Sequence, residues 1–344
     1  MASKDQNLHV LILPYLTPSH MIPLVDIGRL FAGRGVIVTI ITTPHNALLF
    51  KSSIDQDLES GHHISVHELT FPSKEVDLPE GIENFNSITS SEMATKVFFG
   101  VMLLQKPIED FIRKLSPNCI FSDMFYPWTA DLANELNIPR LMFYPSGLLS
   151  HCVAHSLSIY APHDSVESET ESFLVPNLPH EIEMKRCELP EHVKIKTRYG
   201  ELMKAIEESE QKSYGTLHNT FYELEPAYAD HYVLEAVVAG VPLVTWPLFA
   251  EHFYNEKLVE LLKIGVKVGA DVWNSGFEIK SPLVGRELIE NALSKLLDGS
   301  DESLIIRRRA EEIGVMARGA VMDGGSSLNQ LADLIEEMKT FIKE

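Results

Sequence analysis

Four apolar runs constrain this chain most: "LHVLILP" (8–14), "VIVTIIT" (36–42), "CIFSD" (119–123) and "RLMFYP" (140–145). None shows the strict apolar–polar alternation of a strand with one wet face. Helical patterns separate them, at 20–32, around 47–57, at 91–115, 127–136 and 147–160. "ISVHELTF" (64–71) supplies a third strand, and "YGTLHNTF" (214–221), after a helix at 199–212, a sixth. Strands apolar on both faces and spaced by helices form a parallel sheet covered on both sides. Six in this order make a doubly wound α/β domain.

Past residue 232 the alternation resumes but is short. "VPLVTW" (241–246) and "VKVGAD" (266–271) are strands separated by the helix "AEHFYNEKLVELLKIG" (250–265), and the remainder from about Pro282 is helical. Ser326 or Ser327 is placed to cap the last helix. Two parallel strands cannot bury both faces of a sheet, so the second domain is expected to be a fragment. The chain then divides into 1–232 and 233–344, with the final helices packing back on the first domain.

A length of 344 residues, 45% of them hydrophobic, suits two domains. The net charge of -20 argues against nucleic acid or an anionic membrane as partner, since both need a basic face. Arg307, Arg308 and Arg309 stand beside Glu311 and Glu312 and read as a solvated helix face. Cys119, Cys152 and Cys187 have neither metal-ligand spacing nor an even-numbered framework, which indicates a reducing compartment. The opening "MASKDQNLHVLILPYL" is too short to span a bilayer, is broken by Pro14 and lacks a cleavage site. A cytoplasmic protein without a transmembrane segment is expected. The acidic "DSVESETES" (164–172) reads as a surface loop.

In a doubly wound sheet, ligands sit beyond the carboxyl ends of the strands, where strand order reverses. The loop after the first strand, "YLTPSHMIP" (15–23), puts His20 at a helix start there. With the usual strand order Asp123 ends the neighbouring strand. A carboxylate beside an imidazole fixes its tautomer and supports the imidazolium that forms when it takes a proton from a hydroxyl. The bland reading, that each residue merely caps a helix, stands beside this one. No GxSxG elbow accompanies the pair, and the first strand–helix turn has no GxGxxG, which weighs against a nicotinamide oxidoreductase. His62, His63 and His67 alternate faces of a strand and its entry, so no metal site is expected. Trp246 reads as packing at a strand end.

Three segments carry a family resemblance. "LPYLTPSHMIPLVDIGRLFAGRGVIVTIITTP" (13–44) resembles the opening of plant family 1 UDP-sugar-dependent glycosyltransferases. "GVPLVTWPLFAEHFYNEKLV" (240–259) is similar to the end of their carboxyl-terminal signature box and the residues just after it. "RAEEIGVMARGAVMDGGSSLNQLADLIEEM" (309–338) is similar to their final helices. The details resemble the flavonoid and triterpenoid-saponin branch. The resemblance implies a GT-B fold, with the hydrophobic hydroxylated acceptor on the first domain and the UDP-sugar mainly on the second. It implies His20 as general base with Asp123 as its partner, Glu235 on the ribose hydroxyls, and Glu251 and His252 on the sugar. It implies no cofactor and no metal, UDP-sugar being a co-substrate, and inverting transfer of a hexose. Histidine at 252, where many glucose users have glutamine, points to galactose as well as glucose. Loops 80–95 and 161–198 would line the acceptor.

The same resemblance exposes a gap. The family's box begins with a tryptophan that stacks on uracil and a "HCGWNS"-like stretch that grips the diphosphate at a helix amino terminus. Here Val233, in mid-box, directly follows Tyr232 at the end of the first domain. The missing piece is on the order of a hundred residues or more. Hydrogen bonds to charged groups contribute about 1.5–3 kcal/mol each, so three lost diphosphate contacts remove roughly 4–9 kcal/mol. That is on the order of 10³–10⁶ in donor affinity. The chain is expected to be a truncated isoform with impaired transfer. A non-catalytic binder of small aglycones, or a subunit docking on another transferase, are the other readings.

Overall fold

The computed structural model describes residues 7–229, 242–274 and 283–341. In chain order its elements are β1 (His9–Leu13), α1 (Pro18–Ala32), β2 (Ile37–Thr42), α2 (Pro44–Ala47), α3 (Lys51–Glu59), β3 (Ile64–Glu68), α4 (Ser91–Leu103), α5 (Gln105–Leu115), β4 (Cys119–Asp123), α6 (Thr129–Leu136), β5 (Arg140–Tyr144) and α7 (Leu148–Tyr160). There follow β6 (Ser172–Val175), β7 (Ile182–Lys185), α8 (Glu191–Lys194), α9 (Arg198–Glu210), β8 (Gly215–His218) and α10 (Pro226–Ala229). The last are β9 (Leu243–Thr245), α11 (His252–Leu262), β10 (Gly265–Lys267), α12 (Arg286–Leu297), α13 (Asp301–Ala320) and α14 (Ser326–Thr340). Two compact units form, one from 1–145, 204–217 and 330–344, the other from 146–203 and 218–329. The expected division at 232 and the Tyr232–Val233 junction lie outside the described residues.

The first unit is built on a six-stranded sheet of order β3-β2-β1-β4-β5-β8, the doubly wound order expected. β1 pairs in parallel with β2 on one side and β4 on the other, with Leu13 opposite Ser122. The continuous apolar runs now have a reason. Val10 and Ile12 face one core with Phe31, Phe121 and the last helix's Ile335 and Met338. Leu11 and Leu13 face another with Val101, Ile108 and Ile112. A strand buried on both sides cannot alternate with polar residues; each such side chain contributes about 1.5–3 kcal/mol.

Two expectations need correction. The helix read at 91–115 is two, ending at Leu103 and restarting at Gln105. Pro107 has no N–H to donate, and its ring crowds the carbonyl four residues back, at Leu103. The stretch 161–198 is not all loop, for β6 and β7 pair as an antiparallel hairpin from Ser172 opposite Lys185 to Val175 opposite Ile182. Phe173, Val175, Ile182 and Met184 turn inward from it into the core of the second unit. The acidic flank hides this two-residue period.

In that unit α7 starts at Gly147, where the carboxylate of Glu225 accepts from the backbone N–H groups of Leu149 (2.7 Å) and Leu148 (3.2 Å). The Thr220 hydroxyl donates to the same carboxylate. Glu225 is buried, and here it neutralises unpaired donors and complements the helix dipole. Gly147 makes room, since a Cβ there would stand 2.5 Å from Glu225 Oε1. The parallel pair β9 and β10 packs against α11, with α12 also on β10, while Val259 and Ile264 cluster with Ala310 and Ile313 of α13. Leu243 and Val244, which project to opposite faces of β9, both stay 37% exposed. That is abnormal for a parallel strand and normal for a piece of a larger sheet. Trp246 is exposed rather than packed. Ser326 gives its hydroxyl to Glu223 at 2.9 Å. Arg307 donates to the Leu296 carbonyl and Arg309 pairs with Glu312. No described helix is long and apolar enough to cross a membrane.

Glu225→Ala and Gly147→Ala are each expected to lower unfolding free energy by about 2–3 kcal/mol, the value of hydrogen bonds to a buried charge. The double variant should fall well short of additive, because both changes empty one cap. Denaturant titration checks this, and full additivity would contradict it.

Candidate functional site

The first unit brings His20 and Asp123 together. Thr17 is extended (φ -145°) and Pro18, with its fixed φ, opens α1 just beyond the carboxyl end of β1. His20 lies in the first turn, its N–H on the Thr17 carbonyl at 3.0 Å. Asp123 is the last residue of β4, wholly buried, with Phe143 of β5 opposite. Its Oδ2 stands 2.7 Å from His20 Nδ1 and its Oδ1 accepts from the Phe125 N–H at 3.0 Å. Thr129 donates to the Tyr126 carbonyl and bonds Ser122 Oγ, tightening the turn that carries this aspartate. Both carboxylate oxygens are thus engaged, one fixing the rotamer and the other the imidazole.

An ionised carboxylate only accepts, so His20 Nδ1 carries the proton and Nε2 is left a base. His20 is 9% exposed, and the ring around it is aromatic. Tyr15 and Phe125 lie 5.9 and 5.5 Å from it by ring centroids. Phe85 stacks on Tyr15 at 5.4 Å and 22°. Tyr126, pushed up well above the usual phenol range by burial and by Tyr15 and Asp123, keeps its proton and donates to the Pro14 carbonyl. Behind the pair lies the buried Arg140 guanidinium, lowered by burial to about 10, which donates to Ser213 Oγ at 2.6 Å. These aromatic and cationic neighbours were not singled out in the sequence. Position alone signals Tyr15, Phe125 and Tyr126, since "PYL" directly follows the first strand and "MFYPW" the fourth.

Glu251 and His252 lie in the second unit at the amino end of α11, where Glu251 is the N-cap residue but its side chain caps nothing. The Leu248 N–H donates to His252 Nδ1 over a long 3.4 Å, which puts that ring's proton on Nε2 as a donor. His252 therefore presents a hydrogen-bond donor, and His20 an acceptor. Glu235 lies outside the described residues. Of the three histidines in β3 and its entry, His62 faces Asp57 and His67 stacks on Phe111. Among the described residues no cluster of His, Cys, Asp or Glu is placed to hold a metal.

No family model matches the chain. It is 37% identical to solanidine UDP-glucose glucosyltransferase 1 of Solanum tuberosum, covering 98% of both chains. It is 34% identical to soyasapogenol B glucuronide galactosyltransferase of Glycine max, over 98% of this chain and 97% of the relative. A crystal structure of Glycyrrhiza uralensis UGT73P12, complexed with glycyrrhetinic acid 3-O-monoglucuronide, superposes with a TM-score of 0.92 at 30% identity. That match covers 98% of this chain and 96% of the other. The Solanum alignment runs over 480 positions against 344 residues here, so at least 136 positions (480 less 344) have no counterpart in this chain.

Nitrogen NMR of histidine-labelled protein is expected to show His20 protonated at Nδ1 and bare at Nε2. In Asp123→Ala that preference should vanish, and an unchanged tautomer would break the link between the two side chains.

Proposed function

Because the chain belongs to the plant UDP-glycosyltransferases, with a GT-B fold whose second half is incomplete, we propose that its first unit holds a polycyclic plant alcohol and deprotonates it for hexosyl transfer from a UDP-sugar. The observation that carries this reading is the 2.7 Å contact of His20 Nδ1 with the buried carboxylate of Asp123 inside an aromatic surround. In the reaction His20 Nε2 takes the acceptor hydroxyl's proton as the oxygen bonds the anomeric carbon. The bond from that carbon to the UDP oxygen breaks, UDP leaves with the electron pair, and the anomeric centre inverts. Asp123 stabilises the imidazolium, a general-base contribution of about 10²–10⁴ in rate.

Glu251 and His252 bind sugar hydroxyls in this reading, as carboxylate acceptor and imidazole donor, and Glu235 the ribose. Glucose and galactose are the two sugars to consider, the relatives including users of each by name. The acceptor class is steroidal, triterpenoid or flavonoid, in line with solanidine, soyasapogenol B glucuronide and flavonoid-acting relatives. No metal or other cofactor enters the scheme. Three free thiols fit a cytoplasmic location.

The unfilled positions favour a second reading for this chain, that it binds aglycones while transferring sugar poorly. Calorimetry with solanidine, soyasapogenol B and a flavonol, without nucleotide, is expected to show binding of at least one. Incubation with UDP-glucose or UDP-galactose should yield glycoside at least 10³-fold more slowly than a full-length relative assayed in parallel. No heat with any aglycone would overturn the acceptor assignment, and turnover equal to the relative's would overturn the impairment.

A further inference from the structure

We propose that a buried pair of asparagines, Asn46 and Asn84, is a positioning lock that holds Phe85 against Tyr15 and so builds the aromatic wall beside His20. Asn46 lies in α2, past the carboxyl end of β2, and is completely buried; Asn84 is 5% exposed and heads the short turn Phe85–Ser87. Asn84 Nδ2 donates to Asn46 Oδ1 at 2.7 Å across 38 residues of chain. Asn46 Nδ2 donates in turn to Thr43 Oγ1 (2.8 Å) and to the Glu83 carbonyl (3.2 Å). Asn84 Oδ1 accepts from the N–H groups of Asn86 (3.0 Å) and Ser87 (3.1 Å) and from Ser87 Oγ (3.0 Å).

Direction is built into this chain of bonds. The Glu83 carbonyl can only accept and the Asn86 N–H can only donate, so neither amide can flip without losing its backbone partner. Both side chains are thereby oriented by the backbone, and a satisfied buried network of this kind rigidifies what it joins. What it joins is the segment 83–88 to the loop after β2. Phe85 is also tied to the loop after β1, its N–H donating to the Leu16 carbonyl at 3.2 Å. With its backbone held on both sides, Phe85 keeps its ring on Tyr15, which in turn packs against Phe125 at 4.7 Å. Tyr15 and Phe125 are the two rings nearest His20 among the described aromatic contacts. The wall is aromatic and held in place, which suits a rigid polycyclic acceptor better than a flexible one. Neither asparagine touches the imidazole, so both act only through Phe85.

The functional consequence rests on the acceptor reading above, whereas the lock itself is a property of this unit alone. Asn84→Asp is the sharpest probe because it exchanges one NH₂ for an oxygen. The turn stays capped, since an acceptor still faces the Asn86 and Ser87 N–H groups. The group facing Asn46 Oδ1 becomes an acceptor, however, and the tie is lost. Asn46→Ala removes the tie from the other side. Ser87→Ala deletes a bond to Asn84 and leaves the pair intact.

Hydrogen exchange of the Phe85 amide and calorimetric affinity for solanidine are measured on the full chain and on all three variants. The amide is expected to exchange at least tenfold faster in Asn84→Asp and Asn46→Ala, with exchange in β1 and β4 unchanged. Solanidine affinity should fall at least tenfold in both, while Ser87→Ala stays within twofold of the parent in each measurement. Unchanged Phe85 exchange in Asn84→Asp overturns the lock, and so does an equal effect from Ser87→Ala. Faster exchange with unchanged affinity overturns its role in holding the acceptor. If the parent chain binds no aglycone, the acceptor reading fails, and the exchange data still decide the lock.

Discussion

Everything proposed for this chain depends on β4 lying beside β1. That adjacency arises from crossover topology, in which the sheet grows from its middle outward in both directions, and it sets the ends of β1 and β4 side by side. One end launches the helix carrying His20, and the other ends on Asp123. Because Asp123 is buried in a strand and tied to the Phe125 N–H, its carboxylate has little freedom, and the imidazole takes the orientation that this carboxylate dictates. The pair is positioned by the core rather than by the loops, as a catalytic group must be if its geometry is to survive loop motion.

The two units differ in how completely they satisfy their own physics. In the first, each central strand has both faces covered and neighbours on both edges. In the second, α7 is capped by a buried carboxylate and its hairpin core is closed, yet β9 leaves side chains of both faces partly in water. Such a strand belongs to a larger sheet, consistent with relatives whose alignments run well past this chain's length. The chemistry divides accordingly. In the proposed reaction the proton is taken within the first unit, whereas the sequence reading expects the diphosphate grip in the segment this chain lacks.

Sequence reading and structure agree where one dominant force sets the outcome. Val10 to Leu13 are apolar without a break because the sheet is covered twice, and that signal survives in the bare sequence. His20 and Asp123 were legible because strand ends and helix starts have fixed places in this topology. Agreement fails where local signals compete. Pro107 breaks a helix whose apolar pattern continues across it, and Phe173 to Val175 form a strand beneath an acidic flank that reads as loop. The Asn46–Asn84 contact was not legible at all. It joins residues 38 apart through hydrogen bonds, and such bonds impose no periodicity on a sequence.

The most direct measurement is sugar transfer by this chain with the segment absent from it supplied from the Solanum tuberosum relative, compared with the same protein carrying His20→Ala. Loss of the base should slow glycoside formation by about 10²–10⁴ while the acceptor's dissociation constant changes little. Equal turnover in the two proteins would mean that some other group takes the proton, and the assignment of the site would fall with it.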